Sequence, residues 1–306
     1  MTAKPIDCLI IGGGPAGLTA AIYAARFHLS VLVVDAGASR AAQIPLTRNH
    51  AGFPGGVSGT ELLARMRQQA AAYGAQILSD RVEGLMGNAE AGFIVQLADG
   101  SIEARAVLLA TGVTNRRPPI DEALHARALA EGRLRYCPVC DGFEVTDQNV
   151  AVIGASPRAA REAEFLRSFT TRVSLISLDE ADGLSTEDRD RLDAIGVRRI
   201  AGPARAFALD PDGLTFTCAE GRLGFDAIYP SLGSDIHSDL ARDLGAAVTE
   251  DGCIKVDAHQ RTSIPGVYAA GDVVIGLDQI SHAMGEAGVA ATTLRNDLAA
   301  VSPLLR

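Results

Sequence analysis

The stretch that most narrows the choice of fold is Gly12-Gly13-Gly14-Pro15-Ala16-Gly17, read with its flanks. Before it stands Ile6-Asp7-Cys8-Leu9-Ile10-Ile11, a mostly apolar run of the kind required of a strand buried on both faces. After it come a helical stretch over residues 18–27, a second apolar strand over 31–34, and Asp35. Strand, glycine turn, helix, strand and acid in that order make a parallel βαβ unit that binds a dinucleotide. Gly12 makes the turn, Gly14 lets the backbone approach a pyrophosphate, Gly17 lets helix and strand pack closely, and Asp35 is placed for a ribose diol. The helix N-terminus brings partial positive charge to the phosphates. Cys8, inside the strand, reads as packing.

Residues 37–59 are rich in Gly, Ser, Pro and Asn and read as a long loop over the ligand, carrying Arg40, Gln43, Asn49 and His50. Loops of this length in compact domains tend to be functional, although any one polar residue in them reads equally as solvent contact. Residues 60–73 read as helix, 75–82 as one strand, and 93–98 with 101–104 as a hairpin around Asp99-Gly100. A buried strand over 106–110 runs into Thr111-Gly112. At Asn149 the opening plan starts again: strand Val150-Ala151-Val152-Ile153 into Gly154, helix over 159–169, strand over 172–178, then Asp179-Glu180. A repeated plan implies two nucleotide-type domains. The second turn, Gly154-Ala155-Ser156-Pro157-Arg158-Ala159, lacks the expected glycines, and an NADPH site needs an arginine where Asp179 and Glu180 stand. These acids disfavour NADPH and leave two readings, an NADH site or a retained fold with no nicotinamide site. Near the end, residues 265–272 form a strand closing on Gly271-Asp272, followed by a helix over 281–298. Asp272 is suited to accept hydrogen bonds from a ribityl chain, and the helix N-terminus to stabilise charge on a reduced flavin ring. His282, in its first turn, reads as a capping or core residue.

The chemistry is concentrated in Tyr136-Cys137-Pro138-Val139-Cys140-Asp141-Gly142. Two cysteines so spaced can cycle between disulfide and dithiol, and Asp141 can move the proton that each cycle makes and consumes. The same spacing is half of a zinc site, but a tetrahedral site needs a second pair, and Cys8, Cys218 and Cys253 stand singly. Redox chemistry is therefore expected, with no metal. A chain of 306 residues, 47% hydrophobic and 21% charged with 32 glycines, suits one large or two ordinary α/β domains. A net charge of -9 gives no electrostatic basis for binding nucleic acid, and no apolar run is long enough to span a bilayer. The first residues enter a strand with no signal-peptide layout, so a cytoplasmic location is expected, where a disulfide is usually catalytic.

Taken together, these stretches make the chain resemble the low-molecular-weight thioredoxin reductase family over nearly its whole length. The matching marks are the Gly12–Gly17 turn, Gly52-Phe53-Pro54-Gly55, Ala110-Thr111-Gly112, residues 137–142, and residues 266–272 with Gln279. The resemblance implies an α/β fold of two Rossmann-like, three-layer ββα domains and a homodimer. An FAD-binding domain would comprise residues 1–115 and 228–306, with a pyridine-nucleotide-type domain, 116–227, inserted and carrying the cysteine pair. It further implies that Cys140 lies beside the flavin, that Cys137 attacks the partner disulfide, and that Asp141 is the acid/base group. Gly12, Gly14, Pro15, Ala16 and Gly17 would hold the pyrophosphate of FAD, and Asp35 the adenosine ribose. Gln43, Thr111, Asp272, Gln279 and Ile280 would line the flavin, Val82 would meet the adenine through its backbone, and Arg40, Ala110, Gly112 and Gly271 would add cofactor contacts.

Three departures fall on the nicotinamide side. The family has Gly-Gly-Gly or Gly-x-Gly at Gly154-Ala155-Ser156, His-Arg-Arg at Ser177-Leu178-Asp179, and Arg-Gln-Ala at Asp278-Gln279-Ile280. That pattern is similar to the branch that works without NADPH, which includes dithiol oxidases of the gliotoxin type and ferredoxin- or flavin-coupled reductases. The expected function is an FAD-dependent dithiol–disulfide oxidoreductase acting on a thioredoxin-like protein or a small-molecule dithiol or disulfide. Two other readings are an NAD(P)H-dependent thioredoxin reductase and a non-catalytic flavin redox sensor; a sensor has no use for the acid beside the pair.

Overall fold

The computed structural model describes residues 5–180, 183–211 and 213–305. Residues 1–4, on which the reading of the N-terminus partly rests, lie outside the described residues, as does residue 306. In chain order, β1 (Cys8–Ile11), α1 (Pro15–Arg26) and β2 (Val31–Asp35) form the opening unit. A loop with one 3-10 turn, Arg40–Gln43, leads to α2 (Gly59–Ala72) and β3 (Gln76–Ser79). An antiparallel meander follows, β4 (Val82–Asn88), β5 (Gly92–Leu97) and β6 (Gly100–Ala104), then β7 (Val107–Leu109) and β8 (Val113–Asn115). Next come α3 (Glu122–Ala130), the short α4 (Pro138–Asp141), β9 (Val150–Ile153), α5 (Pro157–Leu166), β10 (Val173–Ile176), α6 (Thr186–Ala194) and β11 (Arg198–Ile200). A second meander, β12 (Arg205–Asp210), β13 (Gly213–Cys218) and β14 (Gly221–Phe225), precedes β15 (Ala227–Pro230). The chain ends with β16 (Ser234–Ile236), α7 (Asp239–Asp243), β17 (Val267–Ala269) and α8 (Ile280–Val301).

Two parallel sheets organise these elements, ordered β17-β7-β1-β2-β3 and β11-β10-β9-β15. Each lies between helices and a three-stranded antiparallel sheet, so the fold is two Rossmann-like ββα sandwiches. On the helical face of the first sheet, small residues let α1 and α8 approach closely: Ala20 and Ala24 meet Ala287, Ala290 and Leu294 in one buried cluster. The other face packs Leu9 and Leu109 on Phe93 and Val95 of the meander. The second unit repeats this, with Val152 and Leu175 toward Ala160 and Leu166, and Ile153 and Ile228 toward Phe216 and Phe225. Phe93 and Phe216, both fully buried, each contribute roughly 2–3 kcal/mol through area removed from water. The strands joining the units pair with each other: β8 and β16 form an antiparallel ribbon, Val113 opposite Ile236 and Asn115 opposite Ser234.

Three boundaries differ from the sequence reading. α1 begins at Pro15, not 18, because proline at the first helical position needs no hydrogen-bond acceptor and already has helical φ. The single strand expected over 75–82 is two, β3 and β4. The chain turns at Asp80, whose N–H bonds the Asp35 carbonyl at 3.2 Å while its carboxylate accepts the Arg81 N–H at 2.7 Å. The return boundary expected at 228 falls inside β15, which pairs in parallel with β9, so residues through Pro230 belong to the second sheet.

The seat of α1 on β1 is close. A Cβ at Gly17 would stand 1.9 Å from the Gly12 carbonyl oxygen. Gly17→Ala should therefore push α1 off the sheet and destabilise the protein by about 1–3 kcal/mol or more, read from the midpoint of denaturant unfolding, with loss of bound flavin on purification.

Candidate active site

A cleft of about 820 Å³ opens where β1, β2, β7 and β17 end. In a parallel sheet this carboxyl edge is where ligands bind, because the following turns and helix N-termini present free backbone groups there. Of the residues expected at the site, Gly12, Gly14, Pro15, Ala16, Asp35, Arg40, Gln43 and Val82 line it. So do Ala110, Thr111, Gly112, Gly271, Asp272, Gln279 and Ile280, together with Cys137, Cys140 and Asp141 from the inserted segment. Gly17 does not line it and serves the packing described above.

Helix capping distinguishes the two glycine turns. In most longer helices a side chain occupies the first free amides: Ser58 caps α2, Asp121 α3, Ser156 α5 and Ser185 α6. Two longer helices that begin at the cleft have no such cap, α1 starting from Gly14 and α8 from Gln279. Up to four N–H groups at each helix start need a partner from outside the helix, and an anion is favoured there. Gly12 holds φ at +110°, and a Cβ on it would strike the Ala110 carbonyl oxygen at 2.2 Å, so only glycine can form this floor. A glycine turn and two uncapped helix starts beneath a long cleft fit the pyrophosphate and flavin of an FAD.

The acids in the cleft are already partnered. Asp35 accepts the Gly37 N–H at 3.0 Å and is bonded by Arg67, and a carboxylate so held keeps lone pairs for a ribose. Gly13 is required here too, since its Cβ would meet Asp35 Oδ2 at 2.3 Å. Arg40 donates to Asp272 at 2.9 Å and to Asp278 at 3.0 Å, so one guanidinium joins the loop after β2 to the turn before α8. Burial pushes the Asp272 carboxyl above the usual range and the nearby Asp278 adds to this, while Arg40 opposes it.

Cys137 and Cys140 are joined as a disulfide, with Cα atoms 5.2 Å apart. The Cys140 N–H donates to Cys137 Sγ at 3.1 Å. Asp141 accepts from Arg135 at 2.8 Å and from the fully buried Tyr229 hydroxyl at 2.9 Å. Burial holds the Asp141 carboxyl above its ordinary 3.8, against the pull of Arg135 and Tyr229. This arrangement can open and close a disulfide and hold a proton beside it.

Sequence reasoning did not single out Gly13, Arg67, Arg135 or Tyr229, and read Asp278 only as a departure from the family. Gly13 sat within the motif and Arg135 two residues before Cys137, whereas Arg67 and Tyr229 reach the site from elements distant in sequence and carried no local signal. His282 pairs with Glu286 one turn on at 3.0 Å, and Glu286 accepts the Gly271 N–H at 2.8 Å; the histidine is exposed and α8 has no side-chain cap, so it is neither the cap nor the core residue expected. His50 stacks on Phe53 and does not line the cleft.

Two outcomes test the pair and its acid. Cys140→Ser should keep the flavin bound, checked by its visible spectrum, while stopping electron exchange with dithiols. Asp141→Asn should slow exchange by about 10²-fold or more. Since burial disfavours the Asp141 carboxylate, proton uptake by it fails as pH falls through a value above 3.8; the acid limb of the exchange rate should lie there and vanish in Asp141→Asn.

Comparison with known proteins agrees with this geometry. The family model described as "Pyridine nucleotide-disulphide oxidoreductase" matches residues 6–287. The chain is 33% identical over 282 residues to a thioredoxin reductase of Mycolicibacterium smegmatis, covering 88% of each chain. Among solved structures, HlmI superposes with a TM-score of 0.89 at 30% identity, covering 98% of this chain and 95% of that one. Thioredoxin reductase from Streptococcus pyogenes superposes at 0.88 with 28% identity, covering 96% and 98%. The family implies FAD and a pyridine-nucleotide site. A cleft built for a flavin dinucleotide, a disulfide opening onto it and these relationships together make this chain a member of the pyridine nucleotide-disulphide oxidoreductase family, a thioredoxin reductase-like flavin disulfide oxidoreductase.

Proposed function

We propose that the enzyme exchanges electrons between FAD, the Cys137–Cys140 pair and an external dithiol or disulfide, and that it does so without NADPH. The observation that carries this reading is that the disulfide opens onto the same cleft as the uncapped starts of α1 and α8. FAD, when bound, supplies a two-electron carrier. The turn from Gly12 to Ala16 would hold its pyrophosphate, Asp35 and Val82 its adenosine, and Gln43, Thr111, Asp272 and Ile280 its flavin end. We divide the chain accordingly into an FAD-binding unit up to about residue 115 and again after 230, with the residues between them as the inserted unit.

In exchange with a dithiol, a substrate thiolate bonds to Cys137 Sγ as the Cys137–Cys140 bond breaks, and the electron pair leaves on Cys140 Sγ. The second substrate thiol then displaces Cys137, so the substrate departs as a disulfide and the pair remains as a dithiol. The reductive direction is the same sequence reversed. Asp141, fixed between Arg135 and Tyr229, takes or returns the proton. Val139 and Phe143, 50% and 78% exposed beside the pair, offer an apolar surface to a partner such as a thioredoxin-like protein or an apolar small dithiol. The family relationship supports a homodimer, and a cytoplasmic setting suits a disulfide that is catalytic.

The second turn supports NADPH independence. Ser156 Oγ accepts the Ala159 N–H at 3.3 Å, a cap that α1 lacks, so α5 offers a phosphate less than α1 does. Gly183 lies against the turn, close enough that a Cβ would meet the Ala155 carbonyl oxygen at 2.2 Å. Asp179 and Glu180 are exposed beyond β10, where a 2′-phosphate would need a cation. Replacing a charged clamp by acids costs about 2–3 kcal/mol for each bond lost. An NADH-dependent thioredoxin reductase is the second reading, favoured by the same two acids, which suit a ribose diol. A non-catalytic sensor is disfavoured by the care with which Asp141 is held.

Anaerobic titration followed by flavin absorbance separates these readings. Bleaching by a dithiol but by neither NADPH nor NADH is expected. Full bleaching by stoichiometric NADPH would overturn the claim of independence, and bleaching by NADH alone would establish the second reading.

A further inference from the structure

Gln279 has a second task that its place beside the flavin does not suggest. Its Nε2 lies 3.2 Å from Cys137 Sγ and 3.0 Å from Cys140 Sγ, so one amide donates toward both sulfurs. Its Oε1 accepts from Asn49 Nδ2 at 2.9 Å, and Asn49 Oδ1 accepts from the Thr47 hydroxyl at 2.8 Å. Thr47 is buried, and the three side chains come from the loop before α2 and the start of α8. Each group donates to the next in one direction, and the series ends on the disulfide. Reversing it would turn the Gln279 carbonyl onto the sulfurs, where an acceptor meets an acceptor.

A disulfide sulfur accepts hydrogen bonds weakly, whereas a thiolate accepts them strongly. The donor therefore gains most at the moment the S–S bond opens. The charged groups around the pair are matched elsewhere: Asp141 with Arg135 at 2.8 Å, Asp278 with Arg40 at 3.0 Å, Glu144 with Arg48 at 3.7 Å. The Gln279 amide is left as a donor aimed at the sulfurs from outside their own helix.

We infer that Thr47, Asn49 and Gln279 form an oriented donor chain that stabilises the thiolate released when the Cys137–Cys140 bond breaks. Gln279 is a catalytic residue, since it touches the reacting sulfurs; Asn49 and Thr47 are positioning residues that hold its amide the right way round. In the exchange above, the electron pair that leaves on Cys140 Sγ arrives beside the Gln279 N–H, and Cys137 Sγ keeps the Cys140 N–H as well. The inference rests on the reading that this pair exchanges with external thiols.

The test uses the FAD-loaded full chain, reduced with excess dithiol and freed of it. The rate of alkylation by iodoacetamide against pH reads the acidity of the more reactive thiol, and equilibration with glutathione reads the dithiol–disulfide balance. Gln279→Met should raise the thiol pKa by about one unit, making alkylation at pH 7 about tenfold slower. Above the thiol pKa, where the reduced pair is ionised, the same variant should move the glutathione equilibrium about tenfold toward the disulfide, about 30 mV for two electrons, and this shift should fade as pH falls below that pKa. Asn49→Leu should shift both in the same sense, and should add nothing in the Gln279→Met background because it acts through that amide. Unchanged acidity and equilibrium in Gln279→Met with the flavin spectrum intact would overturn the inference, as would an Asn49→Leu effect that persists in the double variant. A wild-type pair inert toward glutathione overturns instead the functional reading beneath it.

Discussion

The carbonyl oxygen of Gly12 occupies the space that a side chain on residue 17 would need, and α1 can sit on β1 only because there is none. That contact fixes where the helix starts, hence where its free amides point, hence the floor of the cleft. The second unit keeps only the first of the three glycines. A Cβ on Gly154 would come within 2.7 Å of both the Ala159 side chain and the Ser231 carbonyl, so the strand still ends in a turn with no room for a side chain. Ala159 stands where the first unit has Gly17, and Ser156, where it has Gly14, closes the helix start from within through its hydroxyl. One chain thus shows the turn of a Rossmann fold kept without the glycines that seat the helix and receive a phosphate.

Charge has been rearranged along with backbone. Where the family carries an arginine before Gln279, this chain has Asp278, and a cation reaches it from the opposite wall as Arg40. The same guanidinium holds Asp272, whose burial would otherwise favour its neutral form. Two carboxylates sharing one cation tie the loop after β2 to the start of α8. Ion pairs between half-buried groups such as these depend on exclusion of water, which a cofactor lying across them would improve.

Much of this was legible in the residues. The βαβ opening, its repeat at Asn149, the disulfide motif and the loss of glycines and arginines on the nicotinamide side are all local patterns, governed by periodicity and turn chemistry. The site residues among them converge on one cleft because parallel strands end on one edge. What stayed hidden depended on distance along the chain. Nothing near Asp141 announces Tyr229, nothing near Asp35 announces Arg67, and nothing in the Gln279 segment tells that its amide turns to the sulfurs. The break at Asp80 was missed because residues on both sides of it are apolar enough to read as one strand. The boundary expected at 228 cuts β15 because its pairing with β9 joins residues far apart in the chain.

The ribbon of β8 and β16 bears on how such a molecule can move. The outgoing and returning connections between the two sandwiches lie side by side and are bonded to each other from Val113–Ile236 to Asn115–Ser234. Two separate tethers would restrain tilt and turn in every direction; two laid together act as a single torsion bar, stiff to bending yet yielding to twist. Turning one lobe about that bar would part the sulfurs from the Gln279 amide while leaving both sandwiches and the ribbon whole.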